Sequence, residues 1–325
     1  MPATASRSSL ALVRKLEIAR QLPANGCPVP AAREYTRRLA RRHYENFVVS
    51  SWLLPRRLQQ AFFDVYSYCR WADDLGDEIA DPGAALDLLD WWEEELELAC
   101  AGQPRHPVFI ALADTIARFE LPVEPFRDLL RAFRQDQTIH RYADWDQVLG
   151  YCRYSANPVG RLVLALCGYR DAERGELSDC TCTALQLANF WQDVARDLTR
   201  GRIYIPLDRL AAHGLDERDL APRRADRRYR ELMRELVDRT RGLFERGLPL
   251  AQRVSPDLRV DIELFSRGGM AVLDAIEAIG FDTLERRPVV GRGTQLRLLG
   301  RALCSRWLGA RHGGQAGRGD SESAR

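Results

Sequence analysis

Apolar residues recur at three- and four-residue intervals along almost the whole chain, and no run alternates with period two between hairpin turns. That spacing puts apolar side chains on one face of a helix, so the sequence specifies helices packed on helices. The pattern is clearest over residues 58–77, 84–100, 124–138 and 177–198. Breakers divide these segments: Asp81-Pro82-Gly83, Gly102-Gln103-Pro104, Leu121-Pro122 and Gly201. Ile203-Tyr204-Ile205 is strand-like but too short to found a sheet, and no solenoid repeat is present. The reading is an all-α chain with its helical domain over residues 31–311, and length alone suggests one or two domains. A loose, flexible leader over 1–30 precedes it, and a Gly- and Ser-rich, disordered tail over 312–325 follows.

Composition narrows the function. Hydrophobic residues make up 46% of the chain and charged residues 29%, enough to build a core. The net charge of +2 over 325 residues lacks the basic excess of a nucleic-acid binder, so no nucleic-acid partner is expected. No stretch approaches the roughly 18 apolar residues of a membrane span. The segment 295–308 carries Arg297, Arg301 and Arg306 among leucines and a tryptophan. It reads either as a helix packing on the bundle or as an amphipathic helix making peripheral membrane contact. The eight cysteines are scattered, without CxxC spacing. Cys180 and Cys182 raise a soft-metal site, but no histidine or second pair accompanies them, which favours incidental thiols and a reducing cytoplasm.

Two constellations carry chemistry. On a helix, Tyr66, Arg70, Asp73 and Asp77, spaced four, three and four, share one stripe, with Asp74 and Glu78 in the row beside it. Four carboxylates in six residues, next to an apolar segment, repel one another and need a counter-charge. Farther on, Gln186, Asn189, Asp193 and Asp197, spaced three, four and four, form a second stripe on an otherwise apolar helix. Each stripe alone reads either as a solvated acidic face or as a metal site. Together they favour Mg²⁺, a hard cation that takes carboxylate and amide oxygens, keeps waters and bridges to substrate phosphates. Mn²⁺ suits the same donors. Two such helices facing across a cavity are suited to a diphosphate, with Arg70 adding a charge-assisted hydrogen bond. A di-iron bundle needs a Glu-x-x-His element, and none occurs: His43, His106, His140, His213 and His312 all lie away from the stripes.

The two stripes resemble the squalene/phytoene synthase family of head-to-head isoprenyl synthases, over roughly residues 33–287. His43-Tyr44-Glu45-Asn46-Phe47 is similar to the family's diphosphate-contacting segment, and Leu53-Leu54-Pro55 follows it. Tyr66, Arg70, Asp73 and Asp77 match the first motif, and Gln186, Asn189, Asp193 and Asp197 the second. Tyr151-Cys152-Arg153-Tyr154 leads into Val159-Gly160, and Gly201-Arg202-Ile203-Tyr204-Ile205-Pro206 follows the second motif.

The resemblance implies an isoprenoid-synthase helical bundle around a central cavity. It implies a prenyl diphosphate substrate and Mg²⁺ held by Asp73, Asp77, Asn189, Asp193 and Asp197. His43, Asn46, Arg70 and Arg196 are the expected phosphate contacts; Tyr66, Tyr154, Gln186 and Asn189 complete the expected binding set, with Tyr151 among the catalytic residues. The rings of Tyr66, Tyr151 and Tyr154 read either as faces offered to a carbocation or as core aromatics. Asn157-Pro158 replaces the Ala-Gly of most members and resembles the hydroxysqualene synthase branch of hopanoid biosynthesis. Pro158 is expected to bend its helix by freeing the carbonyl of Tyr154, as a packing kink or to shape the pocket.

That branch implies water capture of the cation from presqualene diphosphate, without NADPH, and handover to other squalene-pathway enzymes. Condensation to presqualene or phytoene-type products is the alternative. A catalytically inactive scaffold is disfavoured by the retained aspartates. One departure stands out: Gln192 sits where related enzymes often carry arginine. Either Arg196 substitutes or a phosphate contact is lost, and a late basic residue of the family falls on Arg286 or Arg287.

Overall fold

The structure, a computed structural model, describes residues 27–42, 56–221, 224–291 and 293. His43, Asn46, the motif at 53–55, the segment 295–308, the tail and nearly all of the leader lie outside the described residues. The all-α expectation holds: among the described residues there is no strand, only one isolated parallel bridge between Arg141 and Ile203. The chain forms two compact units, each assembled from separated stretches of sequence.

The first unit takes residues 27–42, 56–140 and 150–170 of the described chain. It contains α1 (Val29–Arg42), α2 (Arg56–Asp77), α3 (Pro82–Cys100), α4 (Pro107–Phe119) and α5 (Glu124–Gln135). The end of α6 (Trp145–Ser155) and α7 (Asn157–Leu166) complete it. Helix starts follow the sequence closely. Asp81 caps α3 by accepting the Ala84 N–H, with Pro82 at the first turn, where its missing N–H is no loss. His106 caps α4 through Nδ1, which accepts from the Val108 N–H at 3.2 Å.

Helix α2 is the spine of this unit, packed against α1, α3, α4 and α5. Its inner face buries Tyr68, Trp71 and Leu75 against Trp92, Phe109 and Phe126. Tyr68 stacks on Trp92 and donates its hydroxyl to the Phe126 carbonyl at 2.9 Å. Burying each such ring stabilises the unit by about 1.5–3 kcal/mol. This fixes the rotation of α2 and turns its opposite stripe, which carries the first motif, toward the more open side.

The second unit takes 141–149 and the described residues from 171 onward. It contains α8 (Ala172–Gln192), α9 (Val194–Thr199), α10 (Leu207–Ala212), α11 (Glu217–Leu220), α12 (Arg227–Gly247), a 3₁₀ turn (Leu248–Gln252) and α13 (Pro256–Ala278). Asp171 and Asp226 cap α8 and α12. Helices α8, α12 and α13 pack closely because Gly247 and Gly269 remove side chains at the crossings. A Cβ on Gly269 would sit 2.2 Å from Phe244 Cζ, and one on Gly247 2.2 Å from Thr181 Oγ1.

The structure differs from the sequence pattern at two helix interruptions. The periodicity through 177–198 predicts one helix, but α8 stops at Gln192 and α9 restarts after Asp193. The i to i+4 hydrogen bonds from Asp193 N–H to Asn189 and from Asp197 N–H to Asp193 persist, so the stripe survives the break. Near Pro158 the chain is broken at Ala156, not bent, and Pro158 stands in the first turn of α7. That is the helical position in which proline is best accommodated.

Candidate active site

Helix α2 presents the first motif. Arg70 pairs with three carboxylates of its own helix: Asp73 at 3.0 Å, Asp74 in a closer contact, and Glu78 at 3.6 Å. Asp74 is buried, whereas Asp77 at the helix end is exposed. The counter-charge this cluster needs is therefore supplied in part by Arg70. It does not suffice for Asp73. Burial around the Asp73 carboxyl, with Asp77, Asp74 and Glu78 nearby, pushes its pKa up to about 6 against the pull of Arg70. Tyr66, one turn before Arg70, is half-buried, and burial raises its hydroxyl pKa.

Tyr151 and Tyr154 lie in the same unit. Tyr151 is buried and donates its hydroxyl to Asp136 Oδ2 at 2.8 Å. The Tyr154 ring already carries a cation, the Arg131 guanidinium 4.7 Å from its centre. Asp136 was not singled out by sequence spacing. Its signal is an acidic residue between two glutamines, Gln135 and Gln137, closing an amphipathic helix; Gln137 itself bonds the Gly76 carbonyl at 3.0 Å.

In the second unit, the end of α8 is braced from inside. Trp191 is fully buried and donates Nε1 to Thr240 Oγ1 at 2.8 Å, and Phe190 stacks on Tyr204 at 3.8 Å. Gly201, at φ +72°, takes the left-handed conformation that closes α9 and lets the Arg202 N–H reach the Asp197 carbonyl at 2.9 Å. The next residues are pinned by the Arg141–Ile203 bridge and by the Leu207 N–H bonding Tyr142.

On this frame Asn189 and Arg196 are exposed, and Gln186, Asp193 and Asp197 are partly covered. Burial and neighbouring Asp193 raise Asp197 to about 6, while Arg200, Arg202 and Arg196 oppose the shift. Arg196 approaches Asp193 only at 3.9 Å. Arg287 does more: Nε meets Asp193 Oδ1 at 2.5 Å and Nη2 meets Oδ2 at 3.4 Å. Of the two late arginines, Arg287 is the one that reaches the second motif, 94 residues away.

Among the described residues, no group of three or more His, Cys, Asp and Glu side chains converges into a closed metal cage. The donor chemistry nonetheless fits a hard divalent cation. Each stripe offers a pair of carboxylates with oxygen donors beside them, and burial, followed by a neighbouring carboxylate, disfavours the charge of Asp73 and Asp197. Mg²⁺ is commonly held by one or two carboxylates with waters and phosphate oxygens completing the shell.

The sequence profile of the squalene/phytoene synthases matches residues 40–294, most of the chain. The chain belongs to the squalene/phytoene synthase family. A hydroxysqualene synthase of Rhodopseudomonas palustris is 37% identical over 222 residues, 68% of this chain and 74% of that protein. A phytoene synthase of Arthrospira platensis is 33% identical over 288 residues, 83% of this chain and 93% of that protein. The crystal structure of squalene synthase HpnC from Alicyclobacillus acidocaldarius is similar with a TM-score of 0.75 and 48% identity, covering 78% of this chain and 97% of that one. Members of this family act in isoprenoid biosynthesis on prenyl diphosphates. No helix among the described residues is long and apolar enough to cross a membrane.

Proposed function

We propose that the protein converts presqualene diphosphate to hydroxysqualene. The observation that carries this reading is the identity of 48% with squalene synthase HpnC and 37% with a hydroxysqualene synthase, against 33% with the phytoene synthase. The Asn157-Pro158 pair, resembling that branch, supports it.

The reaction breaks the carbon–oxygen bond to diphosphate, rearranges the resulting cation to a linear skeleton, and forms a new carbon–oxygen bond to water with loss of a proton. Asp73, Asp77, Asn189, Asp193 and Asp197 would hold Mg²⁺ or Mn²⁺, which supplies neutralisation of the diphosphate leaving group when bound. Arg70 offsets part of the repulsion within the first carboxylate cluster, and Arg287 brings a further guanidinium to the second. His43 and Asn46 are assigned with Arg70 to phosphate oxygens at the first motif, and Arg196 with Arg287 at the second. Gln186, Tyr66 and Tyr154 complete the substrate contacts, and Tyr151 is held in one orientation by Asp136. Water is then the terminal nucleophile, and NADPH is not called for.

A condensing activity is the second reading, favoured by the similarity to a phytoene synthase over 93% of that protein's length. Supplying presqualene, farnesyl and geranylgeranyl diphosphates separately with Mg²⁺ tests the choice. A C30 alcohol from the first supports the proposal. Product only from the other two moves the enzyme to the condensing branch.

A further inference from the structure

Gln192 is the last residue of α8, next to Asp193, and both ends of its amide face one short segment. Nε2 donates to the Pro288 carbonyl at 2.8 Å, and Oε1 accepts from Arg287 Nη2 at 3.5 Å. The same arginine grips Asp193 through Nε and Nη2. Residues 286–290 form no helix or strand, so their position depends on contacts of this kind. Pro288 is buried beneath the contact, whereas Arg287 keeps 52% of its side-chain surface open. Its Nη1 has no protein partner among the described residues.

We infer that Gln192 is a positioning residue, which seats the Arg287–Pro288 segment on the second motif and so delivers the Arg287 guanidinium to the phosphate side of Asp193. The inference rests on the reading of that motif as a diphosphate site. Residue chemistry makes the amide specific. A guanidinium at 192 offers no acceptor and repels Arg287. A carboxylate accepts from Arg287 but cannot donate to Pro288, and it adds charge beside Asp193. A leucine does neither. Only an amide of this length donates to the carbonyl and accepts from the guanidinium together.

A double-mutant cycle on ligand binding tests the inference without turnover. The probe is inorganic pyrophosphate with Mg²⁺, titrated calorimetrically into the wild type, Gln192→Leu, Arg287→Gln and the double variant. Loss of one positioning hydrogen-bond set predicts about three- to tenfold weaker binding for Gln192→Leu, and binding by the double variant no weaker than by Arg287→Gln. Gln192→Glu, which leaves helix packing intact, is expected to weaken binding as well. Independent, additive losses, or unchanged binding by both Gln192 variants, overturn the positioning role while leaving the diphosphate site standing. Absence of Mg²⁺-dependent binding in the wild type overturns the site and this inference together.

Discussion

The hydroxyl of Tyr151 on α6 donates at 2.8 Å to Oδ2 of Asp136, the residue that closes α5, with both residues buried. A hydrogen bond to a buried charged group stabilises by about 1.5–3 kcal/mol. Tyr151→Phe removes the donor and leaves the carboxylate short of a partner, so its denaturation midpoint should fall. Asp136→Asn keeps an acceptor and should cost less. Combined, the two changes should cost less than their sum, because the first has no carboxylate left to strand. Additive losses in urea denaturation would show that the pair is not coupled.

The two aspartate motifs should separate function from folding. Asp73→Ala and Asp193→Ala each remove a group assigned to metal and leave no cavity in an apolar core. Turnover should drop about 100-fold or more, on the scale of losing one group that stabilises transition-state charge. Circular dichroism and melting temperature should stay close to wild type. Near-native turnover in either purified variant contradicts the assignment.

His106 predicts a pH dependence of stability. It is 3% exposed, boxed in by Trp71 at 4.9 Å and Trp92 at 5.1 Å, and burial lowers its pKa from 6.5 to about 3. The folded protein holds it neutral, while the unfolded chain takes up a proton below 6.5. Between pH 6.5 and 3 the unfolded state binds more protons, so this contribution is present above 6.5 and is lost as pH falls. The expected loss at pH 5 is about 2 kcal/mol relative to pH 7.5. His106→Asn keeps a capping side chain and removes the titration. Denaturation of both proteins at the two pH values should show that difference; equal pH slopes would refute it.

Adjacent glycines of α13 should respond oppositely to alanine. A Cβ on Gly268 meets nothing within 4 Å, so Gly268→Ala gains helix propensity, about 0.5–1 kcal/mol. On Gly269 it would meet Phe244 at 2.2 Å and Leu185 at 2.9 Å. Phe244 is fully buried and has little room to give, so Gly269→Ala should destabilise by about 1–3 kcal/mol. Melting temperatures moving in the same direction would contradict the packing of α8, α12 and α13.

What the sequence made legible was local. Asp81-Pro82 and Gly201 announce their helix ends because capping and left-handed closure are properties of a few adjacent residues. Both aspartate stripes follow from three- and four-residue spacing, which a helix converts into a face. The break at Asp193 was hidden, since apolar periodicity continues through it and the carbonyls of Asn189 and Asp193 still find their partners. Arg287 on Asp193 and Asp136 on Tyr151 were hidden for another reason. Each joins side chains brought together only by packing, and no periodicity reports that. Arg70 was legible as a cation on the stripe, but not as one shared among Asp73, Asp74 and Glu78. That partition depends on which carboxylate the core buries.

In the proposed reaction, water is the group that ends the carbocation. Presqualene diphosphate incubated with the protein and Mg²⁺ in water enriched in heavy oxygen, without NADPH, gives a product whose oxygen can be traced by mass spectrometry. The expected product is a C30 alcohol carrying the heavy oxygen. A C30 hydrocarbon, an alcohol without the label, or no conversion of presqualene diphosphate alongside conversion of farnesyl or geranylgeranyl diphosphate would contradict it.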